Sequence, residues 1–148
     1  GAMGGDNAPD AVIKWAVKAA KDLPDDIITL IGTTEVINKK TKEFFGKDTI
    51  TEVASNIKIH HTTECIEMED IPTHAIKTKK DSSMVVGFNL LKEGKGDAFV
   101  SAGNSGALLT GATLLVGRIK GIDRPAIAPM LPAYKKGLLL LGNPYIYI

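Results

Sequence analysis

The chain has 148 residues, the length of one domain, and its 18 basic and 17 acidic residues leave a formal net charge of +1, which excludes nucleic-acid binding through bulk charge. Apolar residues make up 44% and charged residues 24%, the balance of a folding chain, and 5% aromatics exclude an aromatic–basic surface for single-stranded nucleic acid. The single cysteine, Cys65, excludes an intrachain disulfide framework and suits a reducing, cytoplasmic compartment.

The first predicted element is a helix over residues 11–21, with Val12, Ala16, Ala19 and Leu23 on an apolar face and Lys14, Lys18 and Lys21 opposite. Asn7 and Pro9 stand where a cap and a first-turn proline belong. A β-branched run over 27–31, ended by Gly32, predicts a buried strand. Thr33 or Thr34 then caps a helix to about Phe45, stopped by Gly46. Residues 57–61 predict a second strand. The polar stretch 62–80, which contains Pro72, reads as a loop with at most one or two helical turns.

Ser82 is placed to cap a helix over 83–93, with Val86 and Leu90 inward and Gly94 as its stop. A short strand is expected over 98–101. The run 105–119 is apolar almost all round and predicts a deeply buried helix. The near-apolar stretch 106–117 is too short and too rich in Gly and Thr to span a bilayer, and no segment reads as a secretory signal. Two further strands are expected near 126–131 and 138–141. Short apolar strands alternating with helices predict an α/β fold: a doubly wound, mostly parallel sheet with helices on both faces, a Rossmann-like three-layer sandwich, in a single domain over 1–148.

In such a sheet ligands bind where the carboxyl ends of strands lead into helix starts. Two such loops here are glycine-rich. The loop Ser101-Ala102-Gly103-Asn104-Ser105-Gly106 would present backbone N–H groups at a helix start, with serine and asparagine donors beside them. It suits a phosphate or a developing oxyanion, and it equally suits a tight turn with ordinary caps. In Gly4-Gly5-Asp6-Asn7 the polar pair either caps the first helix or orients a substrate. Lys77, Lys79 and Lys80 form a charge run before a helix start, either a solvated face or a surface for an acidic partner, and Arg118, Lys120 and Arg124 follow the long helix. His60, His61, His74, Cys65, Glu64, Glu67, Glu69 and Asp70 match no metal-ligand spacing, and no metal or cofactor is expected.

Four segments together carry a family resemblance. They are Ala2 to Pro9 (AMGGDNAP), Lys79 to Met84 (KKDSSM), Asp97 to Ala107 (DAFVSAGNSGA) and Gly117 to Ala126 (GRIKGIDRPA). In order and spacing the chain resembles, from residue 2 to about 140, the phosphate acyltransferases of bacterial phospholipid synthesis, the acyl-carrier-protein:phosphate transacylases. Members of that family are longer, so the resemblance implies the N-terminal half and an incomplete sheet. The family's Asp-x-Gly-Ala-Asn turn is replaced here by Gly142-Asn143-Pro144.

The resemblance implies that inorganic phosphate attacks the thioester of a fatty acyl-carrier protein, forming an acyl-phosphate. On that reading Ser101, Gly103, Asn104, Ser105 and Gly106 form the phosphate nest, Gly5, Asp6 and Asn7 face it across the cleft, and Asn104 donates to the oxyanion. Lys80 neutralises charge, and Asp81, Ser82 and Ser83 orient the substrate. The acidic carrier meets a basic rim of Lys77, Lys79, Lys80, Arg118, Lys120 and Arg124. A homodimer, a peripheral membrane contact and a downstream membrane acyltransferase are also implied. The alternatives are a phosphotransacetylase-like transfer from an acyl coenzyme A, and a non-catalytic fragment that binds phosphate or the carrier protein.

Overall fold

The computed structural model describes residues 1–5 and 7–127, and the backbone of 130–132 and 138–140. In chain order the elements are α1 (Asp10–Asp22), β1 (Ile28–Gly32), α2 (Thr34–Phe45), α3 (Ile50–Val53), β2 (Ile57–His61), α4 (Pro72–Thr78), α5 (Ser83–Lys92), α6 (Ser105–Gly111), a π-helical turn (Ala112–Val116), β3 (Met130–Pro132) and β4 (Leu138–Leu140). The fold is α/β.

β1 and β2 pair in parallel, Ile28 opposite Ile57 through Gly32 opposite His61. Alternation along β1 sends Ile28 and Leu30 to one face and Ile31 to the other. On the first face they meet Ile13, Val17 and Ala20 of α1, Ile37 of α2, and Ile50 and Ile57, all buried. A second core gathers Ile66, Ala75, Ile76, Met84, Val85, Phe88 and Ala107 from α4, α5, α6 and the loop before them. Two cores, one of them against a parallel pair, are what a doubly wound sheet requires, and the described part of that sheet is small.

Most elements follow their sequence signals. Gly46 takes a left-handed φ of 67° and closes α2 with its N–H on the Lys42 carbonyl. Ser82 accepts from the Val85 N–H and caps α5. Within 62–80 the one helix, α4, spans seven residues, with Pro72 at its first turn.

Other expectations are corrected. The buried stripe of α1 is Ile13, Ala16, Val17 and Ala20; Leu23 lies 51% exposed beyond the last turn. Both stripes have helical spacing, but the observed one turns the larger Ile13 and Val17 inward. Asn7 makes no side-chain cap to α1, whose N-cap is Pro9. In α5 the inward residues are Met84, Val85, Gly87 and Phe88, while Val86 and Leu90 are only half-buried.

Residues 98–101 form no strand ladder among the described residues. Their neighbour is a short piece of chain: the Gly1 amino nitrogen donates to the Val100 carbonyl at 2.8 Å, and Ala2 N–H donates to the Ile31 carbonyl at 2.8 Å. Two such bonds place residues 1 and 2 between β1 and 98–101 without extending a ladder.

The long buried helix is also interrupted. α6 ends at Gly111, where the Phe88 ring leaves no space for a Cβ, and the Thr113 hydroxyl bonds the Leu109 carbonyl at 2.7 Å. The ladder then widens into the π-turn, and Gly117 N–H reaches back to the Ala112 carbonyl. Burial holds for Ala107, Leu109, Thr110 and Gly111, whereas Leu114, Val116 and Ile119 are exposed. Finally, β3 and β4 pair antiparallel, in a sheet separate from β1 and β2, so the last two strands depart from the parallel pattern.

Candidate active site

The two glycine loops come together at the carboxyl edge. They meet by direct backbone contact. A Cβ on Gly5, whose φ is 109°, would lie 2.6 Å from the Ala102 carbonyl oxygen, and one on Gly4 would lie 3.4 Å from the Gly103 Cα. Gly5 therefore needs glycine, for space and for its backbone angle, whereas a Cβ at Gly4 would stand in ordinary van der Waals contact. The expected cleft between the loops is closed at this contact. Asn7 lies in an open depression of ≈ 590 Å³ that it lines with Asp10, Lys14 and Trp15. The expectation for Asp6 lies outside the described residues.

Beyond the contact the second loop bends into α6. Gly103 N–H donates to Ser101 Oγ at 3.2 Å, which tightens the bend. Asn104 is buried, at 7% exposure, and its side chain is used within the fold. Its Oδ1 accepts from Ala107 N–H at 3.0 Å as the cap of α6. Its Nδ2 donates to the carbonyls of Glu67, Met68 and Asp70 at 3.1–3.2 Å. Both amide protons are thus engaged by main-chain oxygens. The N–H groups of Ser105 and Gly106 have no acceptor among the described residues, and Ser105 is exposed. Gly106 has its own packing reason, since a Cβ there would lie 2.8 Å from Pro72 Cγ of α4.

The segment before α5 lies beside the chain that leaves β2. The Asp81 carboxylate accepts from Thr63 N–H at 2.7 Å and from the Thr63 hydroxyl at 2.6 Å, and these bonds hold its pKa below the ordinary carboxylate value. Asp81 N–H donates in turn to Glu64 Oε2 at 2.8 Å. Ser82 is fully buried, its hydroxyl on the Lys79 carbonyl, and Ser83 is buried against Gly1. At the end of β2, His61 Nδ1 stands 3.2 Å from Thr34 N–H and 3.0 Å from Thr34 Oγ1, so the ring caps the start of α2. No sequence signal marked that cap.

The expected rim divides. Lys77, Lys80, Arg118, Lys120 and Arg124 are exposed. Lys79 instead points inward, paired with Asp70 Oδ2 and donating to the Cys65 carbonyl at 2.8 Å. That pairing raises the lysine pKa and lowers that of Asp70. Burial pushes the Cys65 thiol up to about 11, and its Sγ donates to the Met3 carbonyl, which disfavours a nucleophilic role.

A bend of small residues with two free amides at a helix start has the chemistry to receive an anion. Over residues 1–143 the chain matches the family model described as "Fatty acid synthesis protein". It is 52% identical over 144 residues to a phosphate acyltransferase of Acetivibrio thermocellus, covering 94% of this chain and 40% of the relative. It is 50% identical over 140 residues to that of Halalkalibacterium halodurans, covering 94% and 39%, and 47% identical over 142 residues to that of Clostridioides difficile, covering 95% and 39%. The chain spans about 40% of the length of the curated relatives it matches. Since the matched region holds both glycine bends and everything that braces them, the chain belongs to the fatty acid synthesis protein family.

Proposed function

We propose that this chain forms the phosphate-binding part of an acyltransferase that moves a fatty acyl group from acyl-carrier protein to inorganic phosphate. The observation that carries the reading is the contact of Gly4 and Gly5 with Ala102 and Gly103, just ahead of the free N–H groups of Ser105 and Gly106. Phosphate is an anionic nucleophile at neutral pH, so the enzyme needs no serine or thiolate nucleophile. It has to hold phosphate against the thioester carbonyl and stabilise the oxyanion. Positioning contributes about 7 kcal/mol or more. Each well-aimed oxyanion donor contributes about 3 kcal/mol.

In this reading Gly103, Ser105 and Gly106 cradle the phosphate, with Ser101 tightening the bend, and Lys80 supplies charge from the solvent side. Asn104 acts by shaping the bend, because its side-chain protons are committed elsewhere. Asp81, Ser82 and Ser83 set the start of α5 beside the site. Lys77, Lys80, Arg118, Lys120 and Arg124 receive the acidic carrier, and Lys79 leaves the rim. A homodimer and a peripheral membrane contact come with the family resemblance; among the described residues no helix is long and apolar enough to cross a membrane.

The test is thiol release from acyl-carrier protein and from acyl coenzyme A, with and without phosphate, by this chain extended to the length of its relatives. Phosphate-dependent release from the carrier, with acyl-phosphate as product, is expected. Gly5→Ala, which pushes the bends apart, should lower turnover on the order of 100-fold. Release that ignores phosphate, or that prefers the coenzyme A thioester, would overturn the proposal.

A further inference from the structure

The stretch between β2 and α4 makes a continuous set of bonds from one glycine bend to the other. Cys65 Sγ donates to the Met3 carbonyl, next to Gly4. Lys79 Nζ donates to the Cys65 carbonyl at 2.8 Å and to Asp70 Oδ2. Asp70 Oδ2 also accepts from Glu67 N–H at 2.8 Å, closing the 67–70 turn. The carbonyls of that turn, Glu67, Met68 and Asp70, receive both protons of Asn104 Nδ2, and Asn104 Oδ1 caps α6. The Ile66 carbonyl lies against Gly4. Asp70 and Lys79 stand at the middle of this path, with side chains only 27% and 30% exposed. Neither touches the free amides of Ser105 and Gly106.

We infer that Asp70 and Lys79 are a positioning pair: their contact fixes the 65–70 loop as a floor beneath both glycine bends, and so sets the direction of the Ser105 and Gly106 amides and their affinity for phosphate. The effect on phosphate rests on the proposed function, whereas the brace itself does not. Deleting either partner leaves a half-buried charge without its mate and frees the loop, so each single variant should do the same damage. The pair acts through Asn104 and touches no substrate atom.

The experiment uses the 148-residue chain with Asp70→Asn, Lys79→Met and the double variant. Two quantities are read: amide exchange at Gly103 and Ala107, with Ile13 and Ile37 as references in the other core, and the shift of the Ser105 and Gly106 amide resonances on titration with inorganic phosphate. Exchange at Gly103 and Ala107 should quicken, and phosphate binding should weaken, about tenfold in each single variant. The double variant should be no worse than either single, and the reference amides should not move. Wild-type exchange and phosphate affinity in both single variants, or losses that add in the double, would overturn the inference. Should Lys79→Met fail to fold, the near-isosteric Asp70→Asn carries the test. A wild-type chain whose Ser105 and Gly106 amides ignore phosphate sinks the site reading, and the exchange rates then decide the brace by themselves.

Discussion

The core around α1, β1, α2 and β2 and the core around α4, α5 and α6 reach close packing by different means. In the first, buried β-branched side chains, Ile13, Val17, Ile37, Ile50 and Ile57, fill the space between a parallel pair and its helices, and sheet hydrogen bonds satisfy the backbone of the pair. In the second, glycines admit aromatic rings: Phe99 lies against Gly87 and Phe88 against Gly111, with the two rings 5.1 Å apart. There the loop backbone is satisfied by side chains, above all Asn104, Lys79 and Asp81. The first core is a mainly apolar scaffold, its loop after α1 held by Asn56 Nδ2 on the Ala20, Leu23 and Asp26 carbonyls, whereas the polar contacts of the second also shape the candidate site.

Substitutions can break this contrast. The largest effect is expected from Ile13→Ala in the first core, where a fully buried side chain leaves a cavity costing about 3–4 kcal/mol, read as a lower denaturant midpoint. Gly87→Ala attacks the second core from the opposite direction. Its Cβ would lie 2.2 Å from Phe99 Cε2, and the displaced ring should cost about 2–3 kcal/mol by the same measurement. Should Gly87→Ala prove neutral, the tight aromatic packing of the second core is wrong.

Asn104→Ala sharpens the distinction between shaping and chemistry. Losing a cap and three loop contacts should cost about 2 kcal/mol of stability, with amides near Glu67 and Asp70 exchanging faster while Ile37 stays protected. A variant with wild-type stability and lost turnover would return Asn104 to the chemistry.

The smallest effect separates the regions by pH. Asp70 and Asp81 both have folded pKa values held below the ordinary carboxylate value, by Lys79 and by Thr63. Their bonds therefore add stability above the unfolded pKa of about 4, and that stability is lost as the pH falls through the folded values. Acid should loosen Thr63 and Glu67 before it loosens Ile57, as followed by amide exchange between about pH 5 and pH 3. Simultaneous loss at all three would contradict a carboxylate brace local to residues 63–81.

What the sequence made legible follows the same divide. β2 is found at 57–61 as expected, and β1 and α2 lie within a residue of expectation, because β-branched runs and Gly46 are local signals. The inward stripe of α1 is not fixed by spacing, because two apolar stripes compete and packing against β1 decides between them. Residues 98–101 have a strand's composition, yet a ladder depends on a neighbouring chain that composition does not reveal. At the site, the glycines announced both bends. Their direct contact and the inward turn of Lys79 were not legible: within Lys77, Lys79 and Lys80, only the position of Asp70 distinguishes the buried cation from the exposed ones.

The π-turn over Ala112–Val116 carries one residue more than an α-helix would need to cover the same rise. The wider turn absorbs that residue, since five residues wound this way turn through about the same angle as four in an α-helix, so deleting one would restore regular winding and leave the chain after Gly117 on about the same bearing. The surplus residue is thus a local widening at the end of α6 that the chain beyond it does not feel.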